Sequence, residues 1–212
     1  LLAELLYEDA HYPEAAVEYE KSAYGYPQHA KSADAGYSAL LSYAQQEKRL
    51  AAPEVQTVQR AAVESSLRFA KAFPQDPRSA PVLTNAAEKL YALNDGAQAA
   101  AVARQVLALQ PAPPAEQRRV AWTVVAHTSF EQGQFVAAER AYGEVLALTP
   151  EKDASRAALT ERLAASVYKQ GEAARAQGQL PAAIEHYTRV ASVAPQSPVR
   201  ATAQYDAAAA ML

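Results

Sequence analysis

WTVVAHTSFEQGQFVAAERAYGEVLALTP, Trp122 to Pro150, returns in spacing as VYKQGEAARAQGQLPAAIEHYTRVASVAP, Val167 to Pro195. Val125-Ala126 answers to Gln170-Gly171, Gly133 to Gly178, Phe135 to Leu180, Ala138 to Ala183, Tyr142 to Tyr187 and Val145 to Val190. From Ala126 or Gly171 to the closing proline is 24 residues in each. Self-similarity of this kind marks a repeat architecture, one supersecondary unit copied along the chain. The residue types say what the unit is. Small Ala126 and Ala138, or Gly171 and Ala183, let two antiparallel helices approach closely, while Trp122, Tyr142 and Tyr187 fill the space between hairpins. Pro150 and Pro195 stop the second helix. Gly133 and Gly178 fall in the hairpin turns, where a positive φ suits glycine. Pro13, Pro53 and Pro181 fall at the first turn of second helices, where their missing donor costs nothing.

The same ruler finds weaker copies outward from this pair. One runs Leu83, Ala86-Ala87, Leu90, Ala99, Ala103, Val106, Pro111; another runs Leu2-Ala3, Leu6, Tyr12, Ala15, Tyr19, Pro27. A stretched copy between them has Ala39-Leu40 and Tyr43 in its first helix and Ala62, Ser66, Phe69 and Pro74 in its second. The units are roughly 1–27, 28–74, 75–111, 112–150 and 151–195, with a partial unit over 196–212, in one array over 1–212. Val, Ile and Thr never cluster into alternating runs, so no strands are expected. The reading is all-α, with helices over 1–9, 13–25, 30–48, 53–72, 78–93, 96–109, 114–132, 135–148, 152–177, 181–193 and 198–212.

The pattern of the Trp122 unit resembles the tetratricopeptide signature, W-x2-L-G-x2-Y, then A-x3-F, then P. It departs from it at Ser129, where an aromatic is usual, and the second unit departs at Gln170, where Leu is typical. The resemblance implies a right-handed α-solenoid of antiparallel hairpins, a TPR-like superhelix of about 11 helices, acting as a scaffold for protein–protein contacts. The closing prolines lie 47, 37, 39 and 45 residues apart, longer than the roughly 34 of the standard unit. Elongated repeats of this kind, with the linker AFPQDPRSAP, resemble TPR proteins of the bacterial cell envelope, such as outer-membrane assembly lipoproteins and cell-division coordinators. That likeness implies a periplasmic or outer-membrane-associated location over a cytoplasmic one. Arginine exceeding lysine, 13 to 7, in an alanine-rich chain is associated with a high-GC bacterial source.

Composition narrows the function. Net charge is −3, and no basic stripe is present to neutralise phosphates, which argues against nucleic acid as a partner. No apolar stretch approaches the roughly 18 to 20 residues of a membrane helix, so no direct membrane insertion is expected. Leu1 to Leu6 lack the basic flank and cleavage pattern of a signal peptide and look like a helix cut partway, as in a segment of a longer protein. With no cysteine there is no disulfide framework and no thiolate nucleophile. None of the four histidines is set in a metal-ligand pattern. Acidic positions such as Glu8-Asp9 and Glu161 read as solvated helix faces, Ser65-Ser66 has no base arranged to activate it, and no glycine-rich phosphate loop exists. No enzyme, no metal and no cofactor are expected; the expected partner is a protein or peptide.

In the superhelix that the resemblance implies, the first helix of each hairpin lines a concave face. Transferring that frame places Tyr7, Tyr37, Tyr91, Thr123, His127, Phe130, Tyr168 and Arg175 toward the groove. Glu4, Glu88 and Glu172 share one equivalent groove position, held by His127 and Leu41 in the other units. One reading is a groove with aromatic anchors and an acidic line, suited to a peptide carrying basic or neutral groups, since tyrosine offers large contact area at low entropy cost. The other is that some of these rings pack on neighbouring helices. A clamp for a terminal carboxylate is not expected, because Glu88 and Glu172 would repel it. Two further readings stay open: a structural spacer within an envelope protein, and self-association through an open C-terminal helix exposing Ala207 to Leu212.

Overall fold

In the computed structural model, residues 1–211 are described, and they form eleven α-helices with no strand among them. The helices are α1 (Leu2–Glu8), α2 (Tyr12–Tyr24), α3 (Ser32–Glu47), α4 (Glu54–Ala72), α5 (Ser79–Ala92) and α6 (Gly96–Ala108), then α7 (Ala115–Glu131), α8 (Phe135–Leu148), α9 (Arg156–Ala176), α10 (Leu180–Val193) and α11 (Val199–Ala209). The chain divides into two compact units, Leu1–Leu109 and Gln110–Leu212. In the first, each helix packs on its neighbours in sequence, from α1 on α2 through to α5 on α6. In the second, α7 packs on α8, α8 on α9, α9 on α10 and α10 on α11, with α9 also touching α11.

Four of the hairpins reverse through one and the same turn. Ala10, Asn94, Gly133 and Gly178 each adopt a left-handed φ, of 61°, 59°, 72° and 73°. The residue after each donates its N–H to the carbonyl five residues back, His11 to Leu6, Asp95 to Leu90, Gln134 to Ser129 and Gln179 to Ala174, at 2.8–2.9 Å. The left-handed residue itself donates to Tyr7, Tyr91, Phe130 and Arg175, respectively. This paired pattern satisfies the last carbonyls of the first helix and aims the chain into the second. The glycines at two of these turns were expected. Ala10 and Asn94 were not, because alanine carries no turn signal and a lone asparagine only a weak one.

The positions set by the repeat are buried together. Ala15, Ala99, Ala138 and Ala183 are fully buried on the second helices, and Ala3, Ala87, Ala126 and Gly171 are buried on the first. A Cβ added at Gly171 would stand 2.5 Å from the Tyr187 ring, so only glycine admits that ring at its present depth. In hairpin α3–α4 a Cβ added at Gly36 would meet the Tyr24 hydroxyl at 2.9 Å and the Phe69 ring at 3.0 Å, and Ala39 is fully buried. This hairpin is extended beyond the usual turn. Trp122 is half-buried where Val167 is fully buried, as befits the larger indole.

Linkers between hairpins also repeat. Asp76, Asp153 and Ser197 follow Pro74, Pro150 and Pro195, and their side chains accept backbone N–H groups of Arg78, Ser155 and Val199. At α9 this turn delays the helix to Arg156, four residues after the expected start, because Asp153 holds the Ser155 N–H and hydroxyl outside it. Arg156 then donates to the carbonyls of Leu146 and Thr149, which tie off the end of α8. Pro53 is the residue before α4 and not inside its first turn, whereas Pro13 and Pro181 lie within theirs. The last helix ends at Ala209, short of the expected 212, which lies outside the described residues, and the remaining boundaries fall within two residues of expectation. Of the apolar stretch expected to be exposed from Ala207 onward, Ala207 itself packs with Ala203 on α9 and α10, while Ala208 is exposed. Tyr205 and Met211 are the large apolar side chains that stay exposed there, and Leu212 lies outside the described residues. No helix among the described residues is long and apolar enough to cross a membrane.

Candidate partner-binding grooves

Three surface depressions share one construction: the first helix of a hairpin, the second helix as floor, and the first helix of the next hairpin. Glu4 of α1, Tyr19 and Ser22 of α2, and Asp34 and Ser38 of α3 border the first. Tyr37 and Leu41 of α3, Ala62 and Ser66 of α4, and Val82 of α5 border the second, a cavity of ≈ 270 Å³. Tyr168, Glu172 and Arg175 of α9, Tyr187 of α10 and Asp206 of α11 border the third. Helical spacing explains the sets: Tyr168, Glu172 and Arg175 are four and three residues apart, so they stand in one row on α9.

The expected groove residues divide by what they touch. Tyr168, Glu172 and Arg175 come together as expected in position, but each is engaged. Tyr168 donates its hydroxyl to Asp206 at 2.5 Å and packs on Tyr187, Arg175 pairs with Asp206 at 3.6 Å, and Glu172 pairs with Lys169 at 2.6 Å. The Asp206 hydrogen bond, then burial, holds the Tyr168 phenol well above its ordinary range. Tyr37 borders the second groove with the Arg78 guanidinium over its ring at 5.0 Å; Arg78 in turn pairs with Asp34 and Asp76.

Other members serve their own hairpins. Tyr7 sets its ring against Tyr12 and Tyr19, and Phe130 sets its ring edge-on to Phe135. Thr123 donates its hydroxyl to the Arg119 carbonyl one turn back. His127 is half-buried against the Tyr142 ring at 5.7 Å, and burial, followed by the charge of Arg162 on α9, lowers its pKa. Glu88 is exposed, and Tyr91 is half-buried; neither borders these depressions. Partial desolvation raises the Glu88 carboxyl above its usual range.

Sequence reasoning missed the residues that neighbouring helices contribute: Asp206, and the Glu47–Lys89 ion pair closing one end of the second groove. No local pattern ties Glu47 to Lys89, which meet only through packing of α3 on α5's side of α4. It also missed two half-buried carboxylates outside these grooves. Glu20 of α2 accepts from Ser65 at 2.6 Å and from Tyr43 at 3.4 Å, and burial followed by this carboxylate pushes the Tyr43 phenol up to about 12. Glu139 of α8 accepts from Gln170 at 2.6 Å and pairs with Arg189 of α10. Gln170 thus departs from the usual apolar residue because it has a half-buried acceptor to satisfy. Among the described residues no group of three or more His, Asp or Glu side chains is arranged to hold a metal ion. Neither the protein-family models nor the curated proteins give a match to this sequence.

Proposed function

We propose that the chain is a tetratricopeptide-like, right-handed α-solenoid that works as a protein-interaction scaffold, taking a peptide or protein segment in the grooves between first helices. The observation that carries this reading is the recurrence of one groove construction at α1–α2–α3, α3–α4–α5 and α9–α10–α11. The recurring hairpin turn and the fully buried alanines support the repeat itself, since each unit buries its apolar side against the next and leaves a ridge-and-groove surface exposed. Photo-crosslinking side chains placed singly at Leu41 and Ala176, and at Val136 outside these three grooves, test it in the native host. Adducts to a partner from positions 41 or 176 are expected. Adducts from position 136 alone overturn the groove reading.

Exposed Tyr205 and Met211 on and after α11 favour a second reading, self-association through that helix. It requires a molar mass that rises with concentration in light scattering and returns to the monomer value in Tyr205→Glu.

A further inference from the structure

The groove at α3–α4–α5 differs in chemistry from the other two, and on the reading above it names the partner's anchoring side chain. Leu40, Leu41, Ala44, Pro81 and Val82 form its apolar wall, beside the half-buried ring of Tyr37. The only charged side chains that line it, Glu47 and Lys89, are paired with each other, and each is about four-fifths buried. The Ser66 hydroxyl is spent on the Ala62 carbonyl at 2.7 Å. What remain polar are the Asn85 amide and the Tyr37 hydroxyl, uncharged groups both.

We infer that this groove takes an uncharged segment of a partner protein anchored by one aliphatic or aromatic side chain. The charge balance decides the class of occupant. A charged anchor entering here would lose its water and find no free counter-charge, and it could gain one only by breaking the Glu47–Lys89 pair. An apolar anchor loses nothing on entry and covers the exposed side of Leu41. The space of ≈ 270 Å³ exceeds the roughly 150 Å³ of a cavity that accommodates benzene, so a Leu, Met or Phe side chain fits. The groove at α9–α10–α11 lacks this character, because Asp206, Arg175 and Glu172 crowd its rim.

The test is selection of random dodecapeptides displayed on phage against the immobilised full chain, followed by affinity measurement on the enriched peptides by fluorescence polarisation. Enriched peptides are expected to share a Leu, Ile, Met or Phe anchor with no adjacent charge. Leu41→Glu, at an exposed position, is expected to weaken them by about ten-fold or more while the thermal unfolding curve stays in place. Lys89→Ala frees the Glu47 carboxylate, and selection against that variant is expected to gain peptides with Lys or Arg beside the anchor. Peptides anchored by a charged residue, or bound equally by Leu41→Glu, overturn the inference. If such peptides crosslink to the other grooves, the scaffold reading survives; if nothing is enriched, or binders map to Val136, both fall.

Discussion

In hairpin α9–α10, Gly171 lies under the ring of Tyr187, and the chain reverses soon afterwards, between Ala176 and Leu180. In hairpin α3–α4, Gly36 lies under Phe69 in the same way, yet the first helix runs on to Glu47 and the second returns only from Glu54. The two hairpins share a ring seated on a glycine and differ in the distance from that contact to the turn. The added length has a use. Leu40, Leu41, Ala44 and Glu47 lie beyond Gly36 on α3, and they supply most of that helix's share of the apolar groove. The compact hairpin has no such extension, and its groove is polar.

The sharpest way to break this equivalence is to remove each ring. Tyr187→Ala and Phe69→Ala each delete a fully buried aromatic side chain and are expected to cost about 3–5 kcal/mol, read from denaturant unfolding. A large loss from one ring and a small loss from the other would separate the two hairpins. Adding volume on the glycine side should then distinguish them. Gly171→Ala drives a methyl group into the Tyr187 ring, an overpacking of about 1–3 kcal/mol from which helix propensity returns about 1 kcal/mol. Gly36→Ala meets its neighbours at 2.9–3.3 Å, so a smaller net change, near zero, is expected there.

Smaller effects sharpen the account of the turns. No atom lies within 4 Å of a Cβ added at Gly133 or Gly178, so Gly178→Ala is expected to cost about 1 kcal/mol through its backbone alone. The mirror experiment is Ala10→Gly, which relieves the same left-handed strain and is expected to gain about 0.5 kcal/mol in denaturant midpoint experiments. Hairpin α3–α4 has no left-handed residue among its turn positions and offers no such site. The smallest expected effect is on pH. Burial and Arg162 lower the pKa of His127 from its ordinary 6.5, so below that value the unfolded chain binds a proton that the folded chain refuses. Stability conferred by this residue is complete above pH 6.5 and falls as the pH drops, and His127→Gln should flatten the melting temperature between pH 7 and 5.

Much of the fold was legible because helix periodicity, turn glycines and stopping prolines are local signals. The left-handed Ala10 was not legible, since alanine carries no turn signal and the turn's hydrogen bonds are all made by backbone groups. The seat of Phe69 on Gly36 was not legible, because a ruler taken from compact hairpins says little where a hairpin is lengthened. The groove residues were legible as a helix face but not as a site. Whether Tyr7 or Phe130 points to a partner or to its own hairpin depends on Tyr12, Tyr19 and Phe135, whose ring contacts no spacing rule specifies. Asp206 and Lys89, the partner of Glu47, come from the next hairpin along and enter only with the packing.

The measurement that bears most directly on the repeat is excision of one period. Removing residues 127–171 joins Ala126 to Glu172, at the equivalent point of the next unit, and deletes 45 residues. If hairpins are interchangeable units that pack on their neighbours, the shortened chain keeps its helical circular-dichroism signal per residue and melts in one cooperative transition. A chain that loses helicity per residue, or unfolds without a transition, would contradict the account.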